Sequence, residues 1–262
     1  MTAGIGRLVA VDVTVAFAPA TRGDEPTRAL EGLSLDVAAG EIVALIGPNG
    51  CGKSTFLRVA AGLMRPTAGS VELDGDPIVE PDPRIGLVFQ EPRLLPWRSV
   101  TENVAWPLEL AGWSRGRITE RIGELLALVG LEDAADRRPV QLSGGMRQRA
   151  AIARSIALAP EVLLLDEPFS ALDALTRERF NLDLLGVQER TSTTVVIVTH
   201  SIPEAILVAD RVLVLTPRPG RVAAEIRIDA PRPRTLATAD QALVSDAAAE
   251  IRRHLETPER AA

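Results

Sequence analysis

"LIGPNGCGKST", Leu45 to Thr55, is the stretch whose reading decides the fold. It holds the pattern G-x-x-x-x-G-K-[ST] from Gly47 to Ser54, preceded by the apolar run "IVALI" and followed by a segment of helical character, "KSTFLRVAAGLM". Glycines at this spacing let successive backbone N–H groups turn inward, and a helix N-terminus adds partial positive charge, so a strand, turn and helix in this order form an anion cradle. Lys53 is the only lysine in the chain; the other 28 of 29 basic residues are arginine. A compact ammonium on a slender stem fits inside a tight loop and reaches β- and γ-phosphates, where a planar guanidinium is too wide. The expected nucleotide contacts are therefore Gly47, Pro48, Asn49, Gly50, Cys51, Gly52, Lys53, Ser54 and Thr55, with the Ser54 hydroxyl also on Mg²⁺. Cys51 has two readings: a small side chain that fits the loop, or a thiol activated by the helix N-terminus.

Outward from this loop the chain alternates strands and helices. "LVAVDVTVAF" and the two halves of "EGLSLDVAAGEIVALIG", turning at Gly40, read as strands, followed by "SVELDG" and "RIGLVFQ". Three helical segments then follow with no strand between them, with Ser99, Ser114 and Ser143 as N-caps. This predicts a helical subdomain, about 91–160, inserted in an α/β core. "VLLLD", "TTVVIVTH" and "RVLVLTP" alternate with helices after it, and their unbroken apolar runs predict parallel strands buried on both faces. A domain over 1–229 and a tail over 230–262 ending in a helix, "ALVSDAAAEIRRHLE", complete the expected organisation.

Composition sets bounds on function. A formal charge of −6 argues against a broad nucleic-acid footprint, so no nucleic-acid partner is expected. One cysteine permits no internal disulfide, no secretory leader is legible at the start, and no apolar run reaches the ~18 residues that span a bilayer. A cytoplasmic protein is expected, with any membrane role exerted through a partner.

Further chemistry lies at strand ends. In "VLLLDEP", Val162 to Pro168, Asp166 is placed to bind Mg²⁺ and Glu167 to polarise an attacking water. His200, closing "VVIVTH", can hold that water and the γ-phosphate, and the Gln90 amide at the end of "IGLVFQ" can reach both metal and water. "LSGGMRQR", Leu142 to Arg149, supplies a second anion-binding helix start through Ser143, Gly144 and Gly145. Two copies facing head to tail would let each nucleotide use the loop of one and the serine–glycine helix of the other.

With "GPNGCGKST", Gln90, "LSGGM", "VLLLDEP", "SALD" and His200 in this order, the chain resembles the ATP-binding subunits of ABC transporters over almost its whole length. The resemblance implies a P-loop NTPase core of ABC ATPase type with an inserted helical subdomain and an N-terminal antiparallel β region. It implies hydrolysis of ATP with Mg²⁺ in a head-to-tail dimer at the cytoplasmic face of the membrane, bound to permease subunits and indirectly to a substrate-binding protein. Asp173, in "SALD", would lie at the dimer interface, and Phe17 would stack on adenine where the family usually has tyrosine. "VFQEPRLLPWRSVTENVAWPLELAG", Val88 to Gly112, is similar to the nitrate, sulfonate and taurine import subfamily and implies contact with a permease helix. Leu94, Leu95 and Trp97 fit either that contact or packing within the helical segment. An export or lipoprotein-release ATPase shares the catalytic motifs, and a soluble remodelling ATPase is the remaining alternative.

Overall fold

The computed structural model describes residues 6–18, 25–168, 174–230, 232, 234 and 241–256. Two sheets organise them. The first is antiparallel, in the order β2 (Thr27–Val37), β1 (Leu8–Phe17), β4 (Ala68–Leu73), β5 (Asp76–Pro77). The second has the order β10 (Val222–Arg227), β9 (Arg211–Leu215), β3 (Ile42–Ile46), β8 (Thr194–Thr199), β7 (Val162–Asp166), β6 (Ile85–Val88). All its neighbours run parallel except the edge strand β10, which is antiparallel to β9.

The alternation of side chains along each central strand builds two cores. Ile42, Ala44 and Ile46 of β3, with Leu163, Leu165, Val195, Ile197, Val212 and Val214, face a cluster formed with the helices. Val43 and Leu45, with Leu164, Val196, Val198 and Leu213, face the antiparallel sheet and helix α1 (Lys53–Ala60). β3, β7 and β8 are buried at every position, because period-2 side chains of a strand between two layers have no solvent face.

β2 and β3, which the sequence presents as neighbours around Gly40, therefore belong to different sheets. Helix α1 ends at Ala60, short of Met64, because Gly62 takes φ 70 and its Cα lies so close to the Glu80 carbonyl that a Cβ would meet it at 2.1 Å. The strand before Gln90 closes at Val88, leaving Gln90 two residues beyond it. β10 was not foreseen: an edge strand with only Ile226 buried carries little alternation to read.

Between β6 and β7 the chain forms α2 (Val100–Leu110), α3 (Arg115–Val129) and α4 (Gly144–Ser155), packed on one another around Val104, Leu108, Leu125 and Ala150. Ser99 caps α2 in a reciprocal box with Glu102, and the Ser143 hydroxyl accepts from Met146 N at 3.2 Å. Ser114 holds the N-cap position of α3 but its side chain makes no capping bond. After β7 come α5 (Ala174–Thr191), α6 (Ile202–Val208) and α7 (Gln241–Glu256). α7 lies on α6, β9 and β10 and buries Ala247 and Ile251, while Arg234 donates to the carbonyls of Ile206, Ala209, Ile228 and Ala230. Among the described residues, no helix is long and apolar enough to cross a membrane.

Candidate nucleotide and hydrolysis site

At the carboxyl end of β3 the chain turns through Gly47–Gly52 and enters α1. Gly52 takes φ 105, and a Cβ there would meet Leu30 Cδ2 at 2.6 Å and the Ala29 carbonyl at 2.7 Å, so the cradle closes against β2 only with glycine. No side chain caps this helix start. The Lys53 ammonium donates to the carbonyls of Gly47 at 2.7 Å and Pro48 at 3.0 Å, so the cation is held by the loop that surrounds it. Cys51 is 1% exposed and burial pushes its thiol pKa up against the opposing influence of Lys53; the activated-thiol reading is thereby overturned, and Cys51 is a loop-filling side chain.

The acidic pair meets this loop from β7. Ser54 Oγ donates to Asp166 Oδ1 at 2.9 Å, joining the first turn of α1 to the end of β7. Burial raises the Asp166 carboxyl, the Ser54 hydrogen bond opposes it, and the neighbouring Glu167 charge adds to the rise. Glu167 leaves the strand with φ 44, a left-handed conformation that costs a non-glycine residue about 1–3 kcal/mol. Its N–H is fixed to Val198 O at 2.9 Å, and its carboxylate turns toward the end of β8. There Oε2 receives Gln90 Nε2 at 3.1 Å and lies 3.3 Å from His200 Nδ1. Two side chains separated widely in sequence, Gln90 and His200, thus converge on one oxygen of Glu167.

A cleft of about 510 Å³ is lined by Phe17, Ala29, Asn49, Gly50, Gly52, Lys53, Ser54, Thr55, Gln90, Glu167, His200 and Arg218, with Asp166 behind Ser54 and outside the lining. Phe17, 42% exposed, contributes an aromatic ring to the wall of this cleft. Arg218 and Ala29 were missed by sequence reading. The turn after β9 brings Arg218 in: Gly220 N donates to Ala29 O at 2.9 Å, Glu31 N to Gly220 O at 3.1 Å, and Arg218 Nε to Gly50 O at 3.1 Å. No short motif marks such a turn, because its position depends on β9 lying beside β3.

Ser143, Gly144 and Gly145 do not line this cleft. They open α4 elsewhere in the chain, with the Ser143 oxygen engaged by Met146 N and its hydroxyl hydrogen left to donate. Asp173 and the rest of "SALD" lie outside the described residues. Among the described residues no group of three His, Cys, Asp or Glu forms a metal cage. A hydroxyl and a carboxylate beside an anion cradle suit Mg²⁺, which typically takes one or two protein oxygens and completes its shell with phosphate and water.

The segment after Gln90 is fixed by two polar anchors. Asn103, fully buried, accepts from Leu95 N at 2.8 Å and donates to the carbonyls of Leu95, Arg98 and Ser99. Arg154 of α4 donates to Pro92 O and Arg93 O. The two readings of "LLPW" divide between its residues: Leu94 packs on the core, whereas Trp97 is 67% exposed. Leu95, Trp106, Pro107 and Leu110 line a groove of about 370 Å³ against β6.

A family model described as ABC transporter matches residues 30–170. The aliphatic sulfonates import ATP-binding protein SsuB 2 of Burkholderia cenocepacia is 51% identical over 205 residues, 78% of this chain and 74% of that protein. The taurine import ATP-binding protein TauB of Roseobacter denitrificans is 44% identical over 201 residues, 77% of this chain and 75% of its own. Among solved structures, a dimeric, post-hydrolysis ATP-binding cassette bound to ADP and inorganic phosphate superposes with a TM-score of 0.77 at 34% identity, covering 86% of this chain and all of that one.

Proposed function

This chain belongs to the ABC transporter family and is an ATPase of that family, and from that premise we propose that it energises import of a small molecule, of sulfonate, taurine or nitrate type, through a membrane permease. The observation that carries the hydrolytic part is the Glu167 carboxylate, directed by Gln90 and His200 beside the phosphate loop. ATP would lie with its adenine on Phe17 and its phosphates in the Gly47–Thr55 cradle, where Lys53 shifts from its carbonyl partners to the phosphate oxygens. Arg218 adds a second cation to the same wall. Ser54, Asp166 and the Gln90 amide oxygen would hold Mg²⁺, which neutralises developing phosphate charge. Glu167 takes the proton of the attacking water, and His200 keeps that carboxylate and the γ-phosphate in line.

The serine–glycine start of α4 is assigned to the nucleotide of a second copy, head to tail, with Asp173 at the seam between copies. The dimeric arrangement of the solved cassette supports this assignment. The groove lined by Leu95, Trp106, Pro107 and Leu110 is assigned to a cytoplasmic helix of the permease, which would hold the protein peripherally on the cytoplasmic face. Motion of Gln90 would reach that groove through the segment anchored by Asn103 and Arg154. A substrate-binding protein on the far side would select the cargo.

Purification from gently solubilised native membranes, followed by mass spectrometry, tests the transport assignment. A stoichiometric polytopic permease, with a binding protein associated through it, is the expected result. Recovery with ribosomal or nucleic-acid partners alone would overturn transport and leave the ATPase chemistry standing.

A further inference from the structure

Beneath His200 lies a carboxyl group that the hydrolytic scheme does not use. Glu204, in the first turn of α6, is 6% exposed. Its Oε2 accepts from Thr199 Oγ1 at 2.9 Å, and Thr199 Oγ1 in turn accepts from Ser201 N at 3.0 Å. Glu204 N donates back to Ser201 Oγ at 3.4 Å. Both chain neighbours of His200 are thus tied into one closed set of bonds with Glu204, while the imidazole itself points out toward Glu167. The other oxygen, Oε1, is buried with no hydrogen-bond partner. A buried acceptor of this kind is costly unless a function or a change of protonation accounts for it.

From this arrangement we infer that Glu204 is a positioning residue for ATP hydrolysis, setting the β8–α6 corner so that His200 meets Glu167. The inference rests on the assignment of Glu167 and His200 made above. Burial raises the Glu204 carboxyl to about 7, with the Thr199 hydrogen bond opposing the rise. The charged groups acting on it are Arg177 of α5, His200 and Glu167. β3 consists only of apolar residues, and among the described side chains of α7 the buried ones are Ala247 and Ile251. Below pH 7 the carboxyl is neutral and positions the corner through its hydrogen bonds alone. Above pH 7 it is ionised, and the added negative potential also favours proton transfer toward Glu167.

The test is steady-state ATP hydrolysis by the full chain from pH 6 to 9 in wild type, Glu204→Gln, Glu204→Ala, Thr199→Val, His200→Ala and His200→Ala with Glu204→Ala. Glutamine keeps the acceptor for Thr199 and mimics the neutral acid. The expected result is that Glu204→Gln matches wild type at pH 6 and falls about threefold or more below it at pH 8.5. At pH 6, Glu204→Ala and Thr199→Val should lower kcat about tenfold with KM for ATP within twofold, and the double variant should be no slower than His200→Ala. Parallel Gln and wild-type profiles at every pH would overturn the contribution of the ionised carboxyl, and a wild-type rate in Glu204→Ala, or losses that multiply in the double variant at pH 6, would overturn the positioning role. If His200→Ala hydrolyses ATP at the wild-type rate, the underlying assignment fails as well, which separates that failure from this one.

Discussion

The helix starts at Gly52 and at Ser143 are the two that read as anion cradles, and among the described residues only the first heads a complete site. α1 starts at Gly52 without a side-chain cap, and its lysine, its serine and the ends of β7 and β8 converge on one cleft. α4 starts at Ser143 with its cap filled by its own chain, and neither Gly144 nor Gly145 lines that cleft. The contrast teaches that a helix N-terminus becomes a nucleotide site when other elements deliver charge and a proton acceptor to it. α1 receives both from parallel strands that end beside it. α4, carried on the insertion between β6 and β7, opens outside the cleft that Lys53 and Glu167 line, which is why its cradle is assigned to a second copy.

The largest expected effects separate the two cradles by kind. Lys53→Ala should abolish measurable nucleotide binding and reduce hydrolysis by about 10³-fold or more, read by equilibrium binding of a fluorescent ATP analogue and by phosphate release. Gly144→Arg should reduce hydrolysis about 10²-fold while leaving ATP affinity of the isolated subunit within threefold. Loss of affinity in that variant would place the α4 cradle in the same half-site as Lys53 and break the contrast.

Smaller effects sharpen the description of the α1 side. Phe17→Ala should weaken ATP, ADP and AMP alike by about three- to tenfold, as expected for a lost aromatic stack. Arg218→Ala should weaken ATP by about threefold and AMP less, since a guanidinium at Gly50 acts on the phosphate end. Equal weakening of ATP and AMP would assign Arg218 to the base instead. The raised thiol of Cys51 should make it slow to alkylate in the folded chain at pH 7.5, with rapid labelling only on denaturation; fast native labelling would contradict its burial.

What was legible in the sequence follows the same division. The Gly47–Ser54 loop, the Asp166–Glu167 pair and the Ser143 cap are local arrangements, written in consecutive residues whose chemistry forces a turn or a helix start. The buried strands were legible for a similar reason, since "VLLLD" and "TVVIVT" leave no polar face. Long-range geometry was not legible. The split of β2 and β3 between two sheets depends on pairing with β1 and β8, and nothing within Thr27–Ile46 records those partners. Arg218 reaches the cleft only because β9 pairs with β3, and the bracket of Thr199, Ser201 and Glu204 around His200 appears only once α6 has folded back on β8. The Glu167 backbone, held at φ 44 by Val198 O, is likewise a consequence of β7–β8 register.

The native mass of Glu167→Gln at saturating Mg-ATP tests the two-copy site most directly, with Glu167→Gln plus Gly144→Arg measured alongside. Without the carboxylate that activates water, bound ATP persists, so the account predicts that the 28.0 kDa chain doubles its mass in the single variant and remains monomeric once the α4 cradle is blocked. A single variant that stays monomeric with ATP bound, or a double variant that dimerises equally well, would contradict it.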